Sequence, residues 1–131
     1  MRYGETTTPA IEALATQIVD AAFTVHKVLG PGLLESVYET CLFYELEKRG
    51  LDVRRQVPVP IRYDGRELDD ALRLDLLIGG CVIVEVKAVE KMIPLFEAQA
   101  LTYLRLSGHR LALLINFNVP LIKDGIKRII V

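Results

Sequence analysis

The sequence predicts an α/β fold of the α+β type, in which a central mixed sheet is flanked by helices and the elements follow the order ααβββαββ. Three observations support this. Apolar residues near the start recur every three or four positions, the middle of the chain holds short alternating segments, and a third helical segment separates the third strand from the fourth. The 131 residues suit one core. We therefore expect a single domain over residues 1–131.

Each predicted helix has a recognisable start and end. The first covers residues 9–29, where Thr8 can cap the helix and a proline fits its first turn. The second covers about residues 33–49 and stops at a glycine. The third begins at a proline and ends at Gly108, so it covers about residues 94–108. These boundaries leave the centre and the end of the chain for strands.

Five segments have strand-like patterns: residues 57–63, 68–78, 82–88, 110–116 and 126–131. Prolines occupy positions 58 and 60, and a proline cannot donate a hydrogen bond to a neighbouring strand. We therefore expect the first strand to lie at an edge of the sheet or to contain a bulge. The short apolar segment at the end of the chain is expected to form another edge strand.

The overall composition excludes several classes of protein. Apolar residues make up 51% of the chain, which argues against disorder. No apolar run approaches the ~18 residues of a membrane span, and the first residues lack the apolar core of a signal peptide. We expect a cytoplasmic protein without membrane contact. A homodimer is one way of burying the high apolar content. The two cysteines and two histidines show no zinc-ligand spacing.

The charges are nearly balanced overall but uneven along the chain. A formal net charge of −1 argues against binding of nucleic acid by bulk electrostatics alone. Several arginines nevertheless fall within or next to the first two predicted strands: Arg54, Arg55, Arg62, Arg66 and Arg73. They form either a local basic surface or an ordinary solvated strand face.

Three charged residues stand in otherwise apolar strands. Asp75 lies in the second predicted strand, and Glu85 and Lys87 lie in the third, beyond Gly79-Gly80. A two-residue connection would place the two acids on opposite faces of the sheet, because side chains alternate along a strand. A three-residue connection, residues 79–81, places Asp75 opposite Glu85. We favour it because it also groups the aliphatic residues on the other face: Leu74, Leu76, Ile78, Val82, Val84 and Val86.

Two carboxylates from neighbouring strands can hold a hard divalent cation, Mg²⁺ or Mn²⁺. Lys87 follows Glu85 by two residues and so shares its face of the sheet, where its ammonium group could orient a water or stabilise a charged transition state. The D…ExK spacing therefore has the form of a metal-dependent nuclease site. The alternative is a cross-strand salt-bridge cluster on a solvated face.

Two helices carry further candidates. Gln99 and Tyr103 are four residues apart and lie on one face of the third helix, where they could reach a phosphate or position Lys87. Glu35 and Tyr38 lie on one face of the second helix. Glu35 would be a third acid for the metal if that helix packs against the hairpin, or would simply complement the helix dipole. Tyr38 could equally be a core residue.

The pattern of Gly32, Glu35 and Tyr38 resembles the motif that gives the GxxExxY protein family its name. The likeness includes residues 26–38, the ExK strand and residues 125–128, and it covers about residues 15–130. That family is grouped with the PD-(D/E)XK nuclease-like superfamily. The resemblance implies a restriction-endonuclease-like core and a divalent-metal site. Gln99 and Tyr103 resemble the QxxxY motif of the RecB-like branch.

The resemblance also assigns roles to individual residues. The expected catalytic residues are Glu35, Asp75, Glu85 and Lys87, the metal ligands Asp75, Glu85 and Glu35, and the substrate-binding residues Gln99, Tyr103, Tyr38 and Arg73. Leu74 departs from the pattern, because the superfamily name places a proline before the acid.

From these residues we expect a metal-dependent phosphodiesterase that acts on DNA. The alternative is a non-catalytic nucleic-acid-binding or assembly module that keeps the fold. The low net charge and the short length favour this alternative, or an enzyme that depends on a protein partner for its DNA affinity. A small-molecule hydrolase is disfavoured, because the sequence contains no nucleophile elbow.

Overall fold

The computed structural model describes residues 7–69 and 71–131. Residues 1–6, on which the expectation of no signal peptide rests, lie outside the described residues. Along the chain the elements are α1 (Pro9–Leu29), α2 (Glu35–Lys48), β1 (Val53–Pro58), β2 (Ile61–Tyr63), β3 (Arg66–Leu68), β4 (Arg73–Ile78), β5 (Val82–Lys87), α3 (Pro94–Ser107), β6 (Leu111–Asn116), a 3₁₀ helix (Ile122–Gly125) and β7 (Ile126–Ile130).

The main sheet has five strands in the spatial order β1-β4-β5-β6-β7. Strands β5 and β6 run parallel and are joined by α3, whereas the other neighbouring pairs are antiparallel. The sheet is therefore mixed, and its helices lie on both faces. This architecture confirms the predicted fold class. None of the helices in the described part of the chain combines the length and the apolar character that a membrane span needs.

Two of the predicted strands were wrong in extent, because each is split in two. The segment 57–63 divides between β1 and β2, and the segment 68–78 divides between β3 and β4. Strands β2 and β3 pair with each other around the turn Asp64-Gly65, in which both residues have positive φ, as a two-residue hairpin turn requires. Pro58 and Pro60 interrupt the ladder to the main sheet, since neither carries an N–H. Strand β1 is an edge strand as predicted, and so is β7.

The core consists of two layers, one on each face of the sheet. Helices α1 and α2 pack on one face against a large cluster that includes Ile18, Leu42, Leu46, Leu76, Ile78, Val82, Val84, Val86, Leu111, Leu113 and Ile115. Helix α3 packs on the other face against a smaller cluster formed by Leu74, Leu77, Ile83, Ala100, Leu104 and Ala112. We call these the α1/α2 side and the α3 side.

Tyr38 fixes the loop that joins α1 to α2. Its ring is fully buried and stacks on Phe117, with ring centroids 4.8 Å apart. Its hydroxyl donates a hydrogen bond to the carbonyl oxygen of Gly30 and accepts one from the backbone N–H of Leu33 at 3.1 Å. The hydroxyl is thereby committed to the backbone of the loop. The tyrosine of this segment thus has a structural role.

We predict that Tyr38→Phe destabilises the fold and leaves ligand binding unchanged. The substitution keeps the stacked ring but leaves the Gly30 carbonyl and the Leu33 N–H without their partner, at a cost of about 2 kcal/mol. Urea unfolding should show this loss. Unchanged stability together with weakened DNA binding would instead support a substrate-binding role for Tyr38.

Candidate metal centre

The two strands that carry the acids are joined by a three-residue connection, as predicted. Ile78 lies opposite Val82, and Leu76 lies opposite Val84. Next to the Leu76–Val84 pair, the carboxylates of Asp75 and Glu85 each accept a hydrogen bond from the backbone of the opposite strand. The backbone N–H of Asp75 donates to Glu85 Oε2 at 3.0 Å, and the N–H of Val86 donates to Asp75 Oδ2 at 2.8 Å. The acids are therefore linked across the strand pair, because each carboxylate accepts a backbone N–H of the strand that carries the other acid.

The alternation of side chains breaks at Asp75. Leu74 packs on the α3 side whereas Leu76 packs on the α1/α2 side, although residues two apart normally share a face. The expectation that Leu74, Leu76 and Ile78 share one face was therefore wrong. In the neighbouring strand Gln56 lies across from Asp75 and has φ +49°, which is uncommon for a residue other than glycine. Both strands switch faces at the same level.

Burial makes both acids hard to ionise. Glu85 is 7% exposed, and its burial, reinforced by the charge of Asp75, raises its pKa to about 8. The pKa of Asp75 rises to about 6, chiefly through burial and further through the charges of Glu39 and Glu35. The charge of Lys87 lowers both pKa values but does not cancel the increase. The two carboxyl groups crowded at this place therefore have pKa values above their ordinary range.

The end of β5 fixes Lys87 beside the acids. Its ammonium nitrogen lies 4.6 Å from the ring centroid of Phe96, and its carbonyl accepts a hydrogen bond from the Phe117 N–H at 2.9 Å. The buried amide of Asn116 accepts from the Val89 N–H and donates to the Val89 carbonyl, both at 3.0 Å. The sequence analysis missed Phe96 and Asn116. A lone amide at the end of a buried strand was the available signal for Asn116.

Helix α2 presents a different acid from the predicted one. Glu39, one turn after Glu35, is 9% exposed and accepts hydrogen bonds from Arg55 Nη2 at 3.2 Å and from Gln56 Nε2 at 3.0 Å. Its charge raises the pKa of both Asp75 and Glu85. The sequence analysis overlooked Glu39, although its spacing of four from Glu35 places the two on one helix face.

Glu35 itself is exposed and stands in the first turn of α2. Its charge raises the pKa of Asp75, but less than the charge of Glu39 does. In residues 7–69 and 71–131, no group of three or more Asp, Glu, His or Cys side chains is arranged to hold a metal ion. The expected three-acid ligand set with Asp75 and Glu85 is therefore not assembled in these residues. A role for Glu35 remains a prediction.

The expected substrate-binding residues fall in different places. Tyr103 is half-buried on α3, and burial, followed by the charges of Glu85 and Asp75, raises its pKa. Gln99 is half-buried one turn earlier on the same helix. Arg73 is exposed at the start of β4 and donates to the Gln56 carbonyl at 3.3 Å.

The substrate-binding assignment of Tyr38 is corrected. A fully buried ring, whose hydroxyl already bonds to two backbone groups, has no surface left for a substrate.

The donor set fits a hard divalent cation. Asp75 and Glu85 offer carboxylate oxygens, which are the ligands that Mg²⁺ and Mn²⁺ prefer, and Mg²⁺ is usually held by one or two carboxylates with water and phosphate oxygens completing the shell. Two buried carboxylates with raised pKa values also favour a positive partner electrostatically. The pair would hold such an ion between β4 and β5.

Comparison with known proteins agrees with this geometry. The family model described as the PD-(D/E)XK nuclease superfamily matches residues 12–129. The chain therefore belongs to the PD-(D/E)XK nuclease superfamily, and membership of the narrower GxxExxY family stays a prediction. No curated protein and no solved structure matches the chain.

We predict that stability falls as the pH rises from about 4 to 8 and that Mg²⁺ opposes this fall. Within that window the folded chain retains protons on Glu85 and Asp75 that the unfolded chain has lost, so raising the pH favours unfolding by several kcal/mol. A divalent cation binds the ionised pair and should therefore stabilise the fold more at pH 8 than at pH 5.

Thermal and urea unfolding across this pH range, with Mg²⁺ and with EDTA, would measure the effect. Glu85→Gln should flatten the pH dependence and remove the response to Mg²⁺. Glu97→Gln is the matched control, because Glu97 is an exposed acid paired with Lys127. If Mg²⁺ stabilised the parent and Glu85→Gln equally, the cation would bind at a site other than Asp75 and Glu85.

Proposed function

We propose that this protein is a metal-dependent phosphodiesterase that hydrolyses DNA. The observation that carries the proposal is the linked acid pair. Glu85 is buried and Asp75 is half-buried, each is bonded to the other's strand, and both have raised pKa values. Lys87 lies two residues beyond Glu85. The charge of Lys87 lowers the pKa of both acids, and its ammonium nitrogen lies over the Phe96 ring.

Each residue has a separate task in this proposal. Asp75 and Glu85 would hold Mg²⁺ or Mn²⁺ through their carboxylate oxygens. When bound, such a cation makes its water more acidic and offsets the negative charge that develops on the phosphate. Lys87 would orient the attacking water or stabilise the pentavalent phosphate. The Tyr103 hydroxyl and the Gln99 amide would position a phosphate of the strand.

Glu39 would act by holding its neighbours in place. It joins α2 to β1 through Arg55 and Gln56, and Gln56 lies across from Asp75. This connection fixes the strand where the alternation breaks. Its negative charge would also strengthen cation binding at Asp75 and Glu85, since opposite charges attract strongly in a buried site.

The second candidate is a non-catalytic module that binds nucleic acid or assembles with a partner. The formal net charge of −1 favours it, because cleavage needs DNA affinity that this charge does not supply. A protein partner could supply that affinity to either candidate. A homodimer is proposed on the grounds of apolar surface, which includes Val28 and Leu34 at 77% and 74% exposure.

We predict that Lys87→Ala and Glu85→Gln each abolish metal-dependent nicking of supercoiled plasmid, by about 100-fold or more. Thermal stability should stay the same or rise slightly, because residues clustered for chemistry repel or desolvate one another in the resting fold. Nicking assays with Mn²⁺ or Mg²⁺, alongside thermal unfolding, measure both quantities. Lys127→Ala is the control, since this lysine pairs with Glu97 on the surface.

If the protein is instead the non-catalytic module, we expect the opposite results for nicking and for stability. The parent would then show no metal-dependent nicking, and either substitution would cost about 3–5 kcal/mol by leaving a buried charge unpaired.

A further inference from the structure

The β2–β3 hairpin stands at the same end of the sheet as the candidate metal centre. It leaves the main sheet where β1 ends and returns where β4 begins, two residues before Asp75. The neck of the hairpin is tied by a hydrogen bond from the Val59 N–H to the Leu72 carbonyl at 2.8 Å. A ligand held on the hairpin would therefore lie beside the strand that carries Asp75.

The two faces of this hairpin differ in chemistry. Residues that lie opposite each other in a strand pair share a face. Arg62 lies opposite Glu67 on one face, so charges of opposite sign meet there. The other face, which we call the aromatic face, carries the pairs Ile61–Leu68 and Tyr63–Arg66, and neither pair contains an acid.

The aromatic face is open to solvent. Tyr63 is 76% exposed and Leu68 is 49% exposed, and Arg66 is exposed as well. A two-stranded ribbon is marginally stable in water unless its apolar face is covered. An exposed phenol ring beside an exposed guanidinium suits a ligand that has both a flat ring and a negative charge.

We propose that the aromatic face binds single-stranded DNA, with a base stacked on Tyr63 and a phosphate held by Arg66. This proposal rests on the proposed function and names its substrate as an unpaired strand. Stacking on an aromatic side chain contributes about 1–3 kcal/mol per base, and arginine binds phosphate with two parallel hydrogen bonds.

The low net charge selects the single strand over the duplex. Duplex DNA is held mainly by many phosphate contacts, which a chain of net charge −1 provides poorly. In a duplex the bases are already stacked on one another, so their faces are not free to stack on the Tyr63 ring. An unpaired base can stack on the ring, and Arg66, opposite Tyr63, lies near enough to bind an adjoining phosphate.

Fluorescence anisotropy with a short single-stranded oligonucleotide and with its duplex, in EDTA to prevent cleavage, tests the proposal. The parent should bind the single strand more tightly than the duplex. Tyr63→Ala should weaken single-strand binding about 5- to 150-fold, while Tyr63→Phe should preserve it, because stacking requires the ring and not the hydroxyl. Arg66→Ala should weaken binding and make it less dependent on salt.

The matched control is Tyr44→Ala, which removes another exposed tyrosine, 60% exposed, from α2. Its affinity for the single strand should equal that of the parent. Because Tyr63 is largely exposed, its substitution should leave the unfolding temperature unchanged, so lost binding would not reflect lost folding.

The outcomes separate this proposal from the proposed function. Parent-like single-strand binding by Tyr63→Ala overturns the hairpin proposal, and continued plasmid nicking by that variant would leave the nuclease intact. Lost single-strand binding by Tyr63→Ala, in a parent that cleaves nothing, supports the hairpin and rejects the enzyme. Preferential loss of duplex binding, or a Tyr63-dependent self-association in sedimentation, overturns the single-strand assignment.

Discussion

Two carboxylates buried side by side in a sheet with apolar surroundings impose the constraint that shapes this protein. An ionised acid out of water is costly unless hydrogen bonds or an opposite charge compensate. Asp75 and Glu85 each receive one backbone N–H from the other's strand, which compensates only in part, so their pKa values stay raised. When both acids are ionised, their negative charge is not fully compensated by the protein. This is why the pair is a candidate cation site.

The surrounding elements keep the pair in place. Because Leu74 and Leu76 face opposite sides of the sheet, Asp75 sits where β4 switches faces. Gln56, across from it, has a left-handed conformation that costs on the order of 1–3 kcal/mol and persists only where its surroundings enforce it. Its hydrogen bonds to Glu39 connect this backbone to α2. The strained backbone of Gln56 and the buried acid Glu85 thus lie close together in the sheet. Such clustering of backbone strain is typical of functional sites.

Much of the fold followed from local patterns in the sequence. The helices α1 and α3 begin at Pro9 and Pro94 as predicted, since capping and proline positions are local properties. The register of β4 and β5 could also be predicted, because only one register separates the charged residues from most of the aliphatic ones. The raised pKa values followed from crowding two acids in that register.

The rest depended on contacts that the sequence does not display. Strict alternation failed at Leu74, where β4 switches faces beside Gln56 of the neighbouring strand, a residue with positive φ. The buried position of Glu39 follows from how α2 packs against β1, which helical spacing alone does not determine. Tyr38 could have been a core or a surface residue until its stacking on Phe117 was known. In each case a partner distant in sequence decided the outcome.

The most direct test of the central claim is a crystal soaked in Mn²⁺ at pH 8 and examined by anomalous scattering. The account predicts one ion between the carboxylates of Asp75 and Glu85, with metal–oxygen distances of about 2.0–2.6 Å. It also predicts that the same soak of Glu85→Gln crystals shows no ion at this position. An ion bound elsewhere, with both carboxylates still hydrogen-bonded only to the backbone N–H groups of the opposite strands, would contradict it.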